Sequence, residues 1–533
     1  MKSVNNTKTI EYGDYQTPSS FATAVCNKLS DFYKISADAV IEPTFGIGNF
    51  FDGVFSTFSS AHSFFGIEVN EEYFAFASQR IQKSENQKID ISLFNEDIFA
   101  YDFSNIKENI SRKESLLIIG NPPWATNSQL SSLRSANLPL KSNFKGLSGL
   151  DALTGKGNFD IAEYIILQLL SEFRNYNCTL AMLCKTIVAK NIVRDLDKYD
   201  FSVSFMDLFT FDAKEIFGVT CDAGLFVIQL GEAEAKTCTV YDFETNKKLR
   251  EFGWSSQAFY SNIQRDSSVL DIDGRCPFEW RQGIKHDCSK VMELQAIDTG
   301  VFQNGIGGVY SFQLGQYVYP LVKSSDIKSY TIRKTRKYAI VPQRFVNEDT
   351  GKIQHHDPCI WKYLQTHEDF LSARRSVIYK KAPKYSIFGV GEYSFAKYKI
   401  GISGFYKEPT FALIYGDIPI MLDDTCYFLG FELLSEATIT LALLNSPICL
   451  EFLRSVAFLD SKRPYTKEIL KRIDLYKLSN LVDFDYVSGF VASNIKDMKL
   501  LASDYERYKD TLSVSAQQGK GQGHMPTRLV KTG

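Results

Sequence analysis

The 533 residues lack any apolar run approaching the ~18 that a membrane-spanning helix needs. The opening stretch, MKSVNNTKTIEYGDY, lacks the apolar core of a secretory signal. A membrane partner is therefore not expected, and a cytoplasmic location is. Ten Cys are scattered with neither a CxxC pair nor a compact framework, which excludes a disulfide scaffold and a zinc site. They read as reduced, mostly buried thiols, and no metal is expected. No internal repeat occurs. Net charge is nearly missing as well, with 60 Lys and Arg against 62 Asp and Glu. What the chain has in quantity is apolar (44%) and aromatic (14%) residues, which exclude disorder as the dominant state. The length predicts two to four domains, each able to build its own core.

The near-neutral sum conceals a distribution. Residues 1–300 carry 29 basic and 39 acidic side chains, residues 301–400 carry 16 and 7, and the last 133 carry 15 and 16. A cationic block of a hundred residues thus sits inside an otherwise acidic chain.

Short apolar runs alternate with amphipathic ones over the first 230 residues. Strands are predicted at 39–45, 63–69, 91–97, 115–121, 178–185, 203–209 and 223–230, and helices at 18–29, 71–83, 159–174 and 187–198. This alternation predicts an α/β fold, a doubly wound, mostly parallel sheet that binds its ligand at the carboxyl ends of the strands. Residues 125–157 break the rhythm as a long loop rich in Ser, Asn, Leu and Gly, of a length usually functional. Beyond about 235 aromatic, strand-like pieces dominate, with helical periodicity at 435–457, 465–473 and 490–511. The expected organisation is a first domain at 1–235, a mixed α+β domain at 236–510 and a disordered tail at 511–533.

The sharpest chemical feature is Asn121-Pro122-Pro123-Trp124, directly after the apolar run LLIIG. Two prolines at a strand's end remove two donors and leave carbonyls without ladder partners. An amide, an exposed carbonyl and an aromatic face together make a receptor for a planar –NH2 group. Upstream, Glu42-Pro43-Thr44-Phe45-Gly46-Ile47-Gly48-Asn49-Phe50 places glycines where the backbone can approach a ligand. It lacks the third Gly of the dinucleotide fingerprint, and the preceding carboxylate suits a cationic ligand. Glu68, about 20 residues on, stands where such folds put an acid on ribose hydroxyls. Asp97 follows the third strand and could accept a hydrogen bond from an adenine amine. Either acid alone is more often a helix cap or a solvated acid; the informative signal is the order of all four features along successive strand ends.

At this point the chain resembles the S-adenosylmethionine-dependent amino-methyltransferases of DNA, in the gamma-type motif order of restriction–modification adenine enzymes. Their opening YxTP-type element is matched by Tyr12-Gly13-Asp14-Tyr15-Gln16-Thr17-Pro18. The resemblance covers roughly residues 1–230 at motif level and is weaker over 338–430. It implies a seven-stranded methyltransferase sheet followed by a target-recognition domain. It implies S-adenosyl-L-methionine as cofactor, held by Tyr15, Thr17, Glu42, Gly46, Gly48, Phe50, Glu68, Asp97, Ile98 and Asn121. It assigns the catalytic loop to Asn121, Pro122, Pro123 and Trp124, with Phe217 packing on the other face of an extruded adenine. Base flipping follows because the amine is unreachable in a stacked duplex.

The cationic block would then face double-stranded DNA through Arg333, Lys334, Arg336, Lys337, Arg374, Arg375, Lys380 and Lys381. A solvated charged face is the plainer alternative. A separately encoded restriction endonuclease is the implied partner. Methylation of the cytosine amine or of RNA, or a fused nuclease, are the competing readings. Asn at 121 favours adenine over cytosine. The fold opens too near the first residue to leave room for a nuclease ahead of it, and Asp222…Glu234-Ala235-Lys236 only loosely matches a nuclease pattern.

Overall fold

The computed structural model describes residues 15–82, 89–125, 160–255, 257–263, 267–459, 461–496 and 498–518. Tyr12, Gly13 and Asp14, the expected loop from 126 onward and the tail beyond 518 lie outside the described residues. The chain divides into two compact units, Met1–Gln264 and Arg265–Gly533.

The first unit is built on strands β1 (Ala39–Glu42), β2 (Ser63–Ile67), β3 (Asp90–Phe94), β4 (Leu116–Gly120), β5 (Cys178–Lys185), β6 (Val203–Phe211), β7 (Ala223–Leu230), β8 (Thr237–Asp242), β9 (Lys248–Ser255) and β10 (Ala258–Tyr260). β1, β2 and β4 are buried at every position, as continuous apolar runs in a parallel sheet should be. The sheet order is β10-β9-β8-β6-β7-β5-β4-β1-β2-β3. β1 to β5 pair in parallel, and β7 runs antiparallel to both of its neighbours. Strand order reverses between β1 and β4, and this switch point opens a crevice at their carboxyl ends.

The sheet has ten strands, where seven were expected. β8 pairs in parallel with β6, and β9 and β10 follow antiparallel, so the unit continues past residue 235 to 264. The added strands cover the edge that β6 would otherwise expose.

Helices α1 (Ser19–Tyr33), α2 (Asn49–Thr57), α3 (Glu71–Gln82), α4 (Ile161–Glu172), α5 (Thr186–Asp195) and the single turn α6 (Ala213–Phe217) complete this unit. Ala22, Val25 and Leu29 of α1 and Phe50, Phe51 and Val54 of α2 share a core with Val40, Phe64 and Leu117 of the sheet. That packing fixes the Gly-rich turn between β1 and α2.

The second unit is mixed α+β. A six-stranded sheet runs in the order Val309–Ser311, Val301–Asn304, Glu293–Asp298, Lys337–Ile340, Val318–Val322 and Met421–Leu422. A five-stranded sheet runs Arg281–Gln282, Cys426–Phe431, Tyr398–Ser403, Phe411–Tyr415 and Thr331–Ile332. The periodic stretch at 435–457 is two helices, Leu434–Leu444 and Pro447–Val456, bent by 61°. Ser446 caps the second of them at the Cys449 N–H, and Pro447 occupies its first position. Among the described residues no single helix is long and apolar enough to cross a membrane. The final helix, Ala502–Gln518, continues past 510, where a disordered tail was expected. Tyr505, Tyr508 and Leu512 are buried at helical spacing, so the buried face of this helix runs on past 510 through Leu512.

Candidate active site

The crevice beside β1 and β4 is a cleft of about 1030 Å³, its open mouth included. Its floor is the turn after β1. Gly46 and Gly48 adopt φ of 55° and 76°, the left-handed region that favours glycine. A side chain at Gly46 would also collide with Gln16, whose Oε1 would lie 2.8 Å from the added carbon. Gln16 Oε1 accepts from the Ile47 N–H at 3.3 Å, and Asn49 Nδ2 donates to the Thr17 carbonyl at 2.6 Å. The YxTP-type segment is thereby tied to the Gly turn. From α3, Arg80 donates to the Gly48 carbonyl and to Asn49 Oδ1, and pairs with Asp52 at 3.2 Å.

Three acids stand at the ends of β1, β2 and β3. Glu68 is buried, and its carboxylate accepts from the Gly46 N–H at 2.8 Å and the Asn70 N–H at 2.7 Å. Asn95 Nδ2 donates to its backbone carbonyl at 2.8 Å. Glu68 therefore joins the Gly turn to the start of α3 as well as lining the cleft. Asp97 is exposed on the rim and accepts from the Phe99 N–H at 3.0 Å, next to buried Ile98. Glu42 is only 2% exposed, and its Oε2 has no hydrogen-bond partner among the described residues. Burial pushes its carboxyl well above the ordinary range; Arg80 opposes that shift, and the neighbouring Glu68 adds to it. Glu42 thus places on the cleft lining a buried oxygen that has no partner among the described residues.

Asn121 follows β4 directly. Its Nδ2 donates to the Tyr15 carbonyl at 2.8 Å. A carbonyl can only accept, so this contact fixes the amide orientation. Asn121 Oδ1 is left buried without a partner among the described residues. Pro122 is buried and Pro123 lines the cleft beside Asn121.

Trp124 is placed differently from expectation. It is buried in the core shared with α1 and α2, and its indole Nε1 donates to the Leu183 carbonyl at 3.2 Å. Phe217, the last residue of α6, meets it edge to face, with ring centroids 5.1 Å apart and planes inclined at 64°. A base sandwiched between parallel rings needs them roughly 7 Å apart. The two aromatics instead pack against each other, each supplying the apolar surface that a base would otherwise provide.

Several site residues carry no sequence signal of their own: Gln16, Asn70, Arg80, and the pair Asp160 and Lys185. Asp160 caps α4 at the Ala162 N–H and binds Lys185, at the end of β5, at 2.7 Å. The Ile161 N–H donates to the Ala125 carbonyl at 3.0 Å, so the start of α4 lies beside the end of the Asn121–Trp124 segment. Asp222 and Glu234, the loose nuclease pattern, sit beyond opposite ends of the eight-residue β7, a span of roughly 25 Å, too far for one metal-ion site. Among the described residues no cluster of three His, Cys, Asp or Glu side chains could hold a metal ion.

In the second unit the eight cations fall into two groups. Lys334, Arg375, Lys380 and Lys381 are exposed, Lys337 is half-buried, and Arg333 is exposed with its guanidinium 5.0 Å above the Tyr415 ring. Arg336 is exposed but ion-paired with Asp326. Arg374 points inward: it donates to the Leu371 carbonyl at 2.8 Å and to the Ser386 carbonyl at 2.7 Å, and covers the Tyr379 ring at 3.8 Å. Its charge is spent on the protein's own backbone.

No protein-family model matches the chain. It is 37% identical over 483 residues to the Type II methyltransferase M.NspV of Nostoc sp. (strain ATCC 29411 / PCC 7524), covering 90% of this chain and 99% of that one. Among solved structures, the Type IIL restriction-modification enzyme MmeI in complex with DNA superposes over 96% of this chain and 73% of its own, with TM-score 0.51 and 13% identity. That likeness is one of fold. The type IIG restriction endonuclease BpuSI matches with TM-score 0.36 and 10% identity over 94% of this chain and 65% of its own.

Proposed function

The chain belongs to the type II methyltransferases of restriction–modification, and we propose that it methylates the exocyclic N6 amine of adenine in double-stranded DNA, with S-adenosyl-L-methionine as donor. On this reading it is the modification partner of a separately encoded endonuclease.

The observation that carries the reading is Asn121 Oδ1, a buried acceptor with no donor opposite it among the described residues. An unsatisfied buried acceptor costs about 1–3 kcal/mol, which a hydrogen-bond donor entering the cleft recovers. An –NH2 group is such a donor, whereas the ring carbonyls of thymine or guanine are not. By accepting an amine hydrogen, Asn121 draws the nitrogen lone pair out of conjugation with the ring and directs it outward. The amide does not ionise, so the proton displaced on methylation leaves through water. Positioning and preorganised polarity do the work, without a covalent intermediate.

The donor set of the cleft suits S-adenosyl-L-methionine. Glu42 offers its idle carboxylate oxygen to a cationic group, Glu68 lies at the end of β2 for ribose hydroxyls, and Asp97 with Ile98 frames an adenine on the rim. When bound, the cofactor supplies a sulfonium-activated methyl group. Tyr15, Thr17, Gly46 and Phe50 line the same space, with Gln16 and Asn49 holding the turn, whereas Gly48 lies against Ala77 and Arg80 of α3 and not on the cleft. The target adenine must leave the duplex to reach Asn121. To stack on both faces of it, Trp124 and Phe217 must part from their present edge-to-face contact, and Phe217, half-buried at the end of a single helical turn, is the one placed to move.

The test is a competition. The protein is given labelled cofactor with plasmid DNA, total RNA and a mixed protein substrate together. Label in DNA alone is expected; label confined to RNA or protein overturns the substrate class.

A further inference from the structure

Of the large apolar side chains exposed among the described residues, Val377 is the most exposed, at 69%, and Ile378 beside it is 38% exposed. They form the tip of a 3-10 turn, Val377–Tyr379. This turn is anchored on both sides. Before it, Arg374 is bound to the Leu371 and Ser386 carbonyls. Behind it, the Tyr379 hydroxyl donates to the Lys285 carbonyl at 3.1 Å, with its ring under Arg374 and against Phe388. The exposure is therefore not that of a slack loop: the anchors hold the two apolar side chains outward.

The flanking charges complete the pattern. Arg375, Lys380 and Lys381 are exposed and have no ion-pair partner among the described residues. Nearby cations are neutralised: Lys384 by Glu368 at 2.7 Å, Arg344 by Glu392 at 3.1 Å. An apolar tip between unneutralised cations matches the chemistry of a nucleic-acid groove, whose phosphate walls attract cations and whose floor offers apolar base surface.

We propose that the 375–381 turn is a rigid DNA-reading tip, in which Val377 and Ile378 contact base surface in the groove of a duplex while Arg375, Lys380 and Lys381 hold its phosphates. This rests on the DNA reading above and goes beyond it: Arg374 becomes the strut of the device, and two apolar residues become its reading element.

The two kinds of contact differ in their response to salt. Cations on phosphates release counterions, and each contributes about 0.9 to the slope of log affinity against log salt; apolar contact with bases contributes nothing to that slope. Affinity is measured from low to moderate salt for the full chain, on a duplex that the wild type methylates and on a scrambled duplex. The Val377→Ser/Ile378→Ser protein should bind the methylated duplex roughly tenfold more weakly, with an unchanged slope and reduced preference over the scrambled one. The Arg375→Gln/Lys380→Gln/Lys381→Gln protein should lose about 2.7 from the slope on both duplexes. If the Ser variant binds within twofold of wild type, or loses slope, or alters the sedimentation of the free protein, the reading tip is wrong, the last result making the turn an interface between copies. A wild type that binds no DNA removes the DNA reading itself; a wild type that binds beside an unaffected Ser variant removes the tip alone.

Discussion

In the first unit the polar groups at the cleft are fixed by backbone: Glu68 is held by two N–H groups, Asn121 by the Tyr15 carbonyl, and Asn49 by Thr17. Among the described residues of the cleft two oxygens are left over, on Glu42 and Asn121, and both are buried. In the second unit six of the eight candidate DNA-contact cations are exposed or half-exposed and carry no ion pair among the described residues, while Arg374 and Arg336 are tied to the protein itself. A chemical step needs a few groups placed to a fraction of an ångström, so their supports must be rigid and dry. Contact with a polyanion needs charge that water can reach. On the proposed function the two units solve opposite electrostatic problems, and an averaged net charge near zero is what their sum looks like.

That contrast can be broken most severely at Asn121. Asn121→Ala should lower kcat by about 10²–10³ or more, the scale of losing one preorganised polar contact in a transition state. Cofactor affinity, measured by calorimetry, should stay within a few-fold, because Glu42, Glu68 and Asp97 remain. A parallel loss of cofactor binding would make Asn121 a scaffold residue.

Arg374 tests the other side. If it is a strut, Arg374→Met should destabilise the protein by about 2 kcal/mol, by stripping the charged donor from the Leu371 and Ser386 carbonyls. Its own charge should contribute nothing to the salt slope of DNA binding. A stable variant with a reduced slope would return Arg374 to the DNA-contact surface.

Glu42 sharpens the comparison through pH. Because burial raises its carboxyl above the ordinary value, the folded protein retains a proton that the unfolded chain has lost, throughout the window between the two. Stability attributable to this group therefore falls as pH rises from the ordinary carboxylate range toward the raised value. Glu42→Gln should flatten that part of the stability profile, followed by denaturant melts across pH, and should raise the midpoint slightly near neutrality. The same change should weaken cofactor binding by roughly tenfold, a charge-assisted hydrogen bond being worth about 1.5–3 kcal/mol. A profile identical to wild type would mean that Glu42 titrates normally.

Much of the first unit was legible because a buried parallel strand is written as a continuous apolar run, and its carboxyl end is where the run stops. Glu42, Glu68, Asp97 and Asn121 stand at or just beyond such ends. Helix α2 was legible only at its start, marked by the glycine turn: NFFDGVFST contains Gly53, where an added side-chain carbon would lie 3.1 Å from the Thr23 backbone. That glycine serves close packing of α1 on α2, which no local period records. Strands β8 to β10 were missed because their reason for existing is the open edge of β6. Tyr505 and Tyr508 carried the period of the last helix as far as 511, but past Leu512 polar residues hid its continuation. Arg374 and Arg375 are adjacent and chemically identical, yet one faces carbonyls and the other faces water; only the fold separates them.

The most direct test of the central claim identifies the product nucleoside. Plasmid DNA is incubated with the protein and cofactor carrying an isotopically labelled methyl group, digested, and resolved by mass spectrometry. Label is expected in N6-methyldeoxyadenosine with wild type, appearing at least about a hundredfold more slowly with Asn121→Ala. Label in a methylated deoxycytidine, or undiminished label with the Asn121 variant, would contradict it.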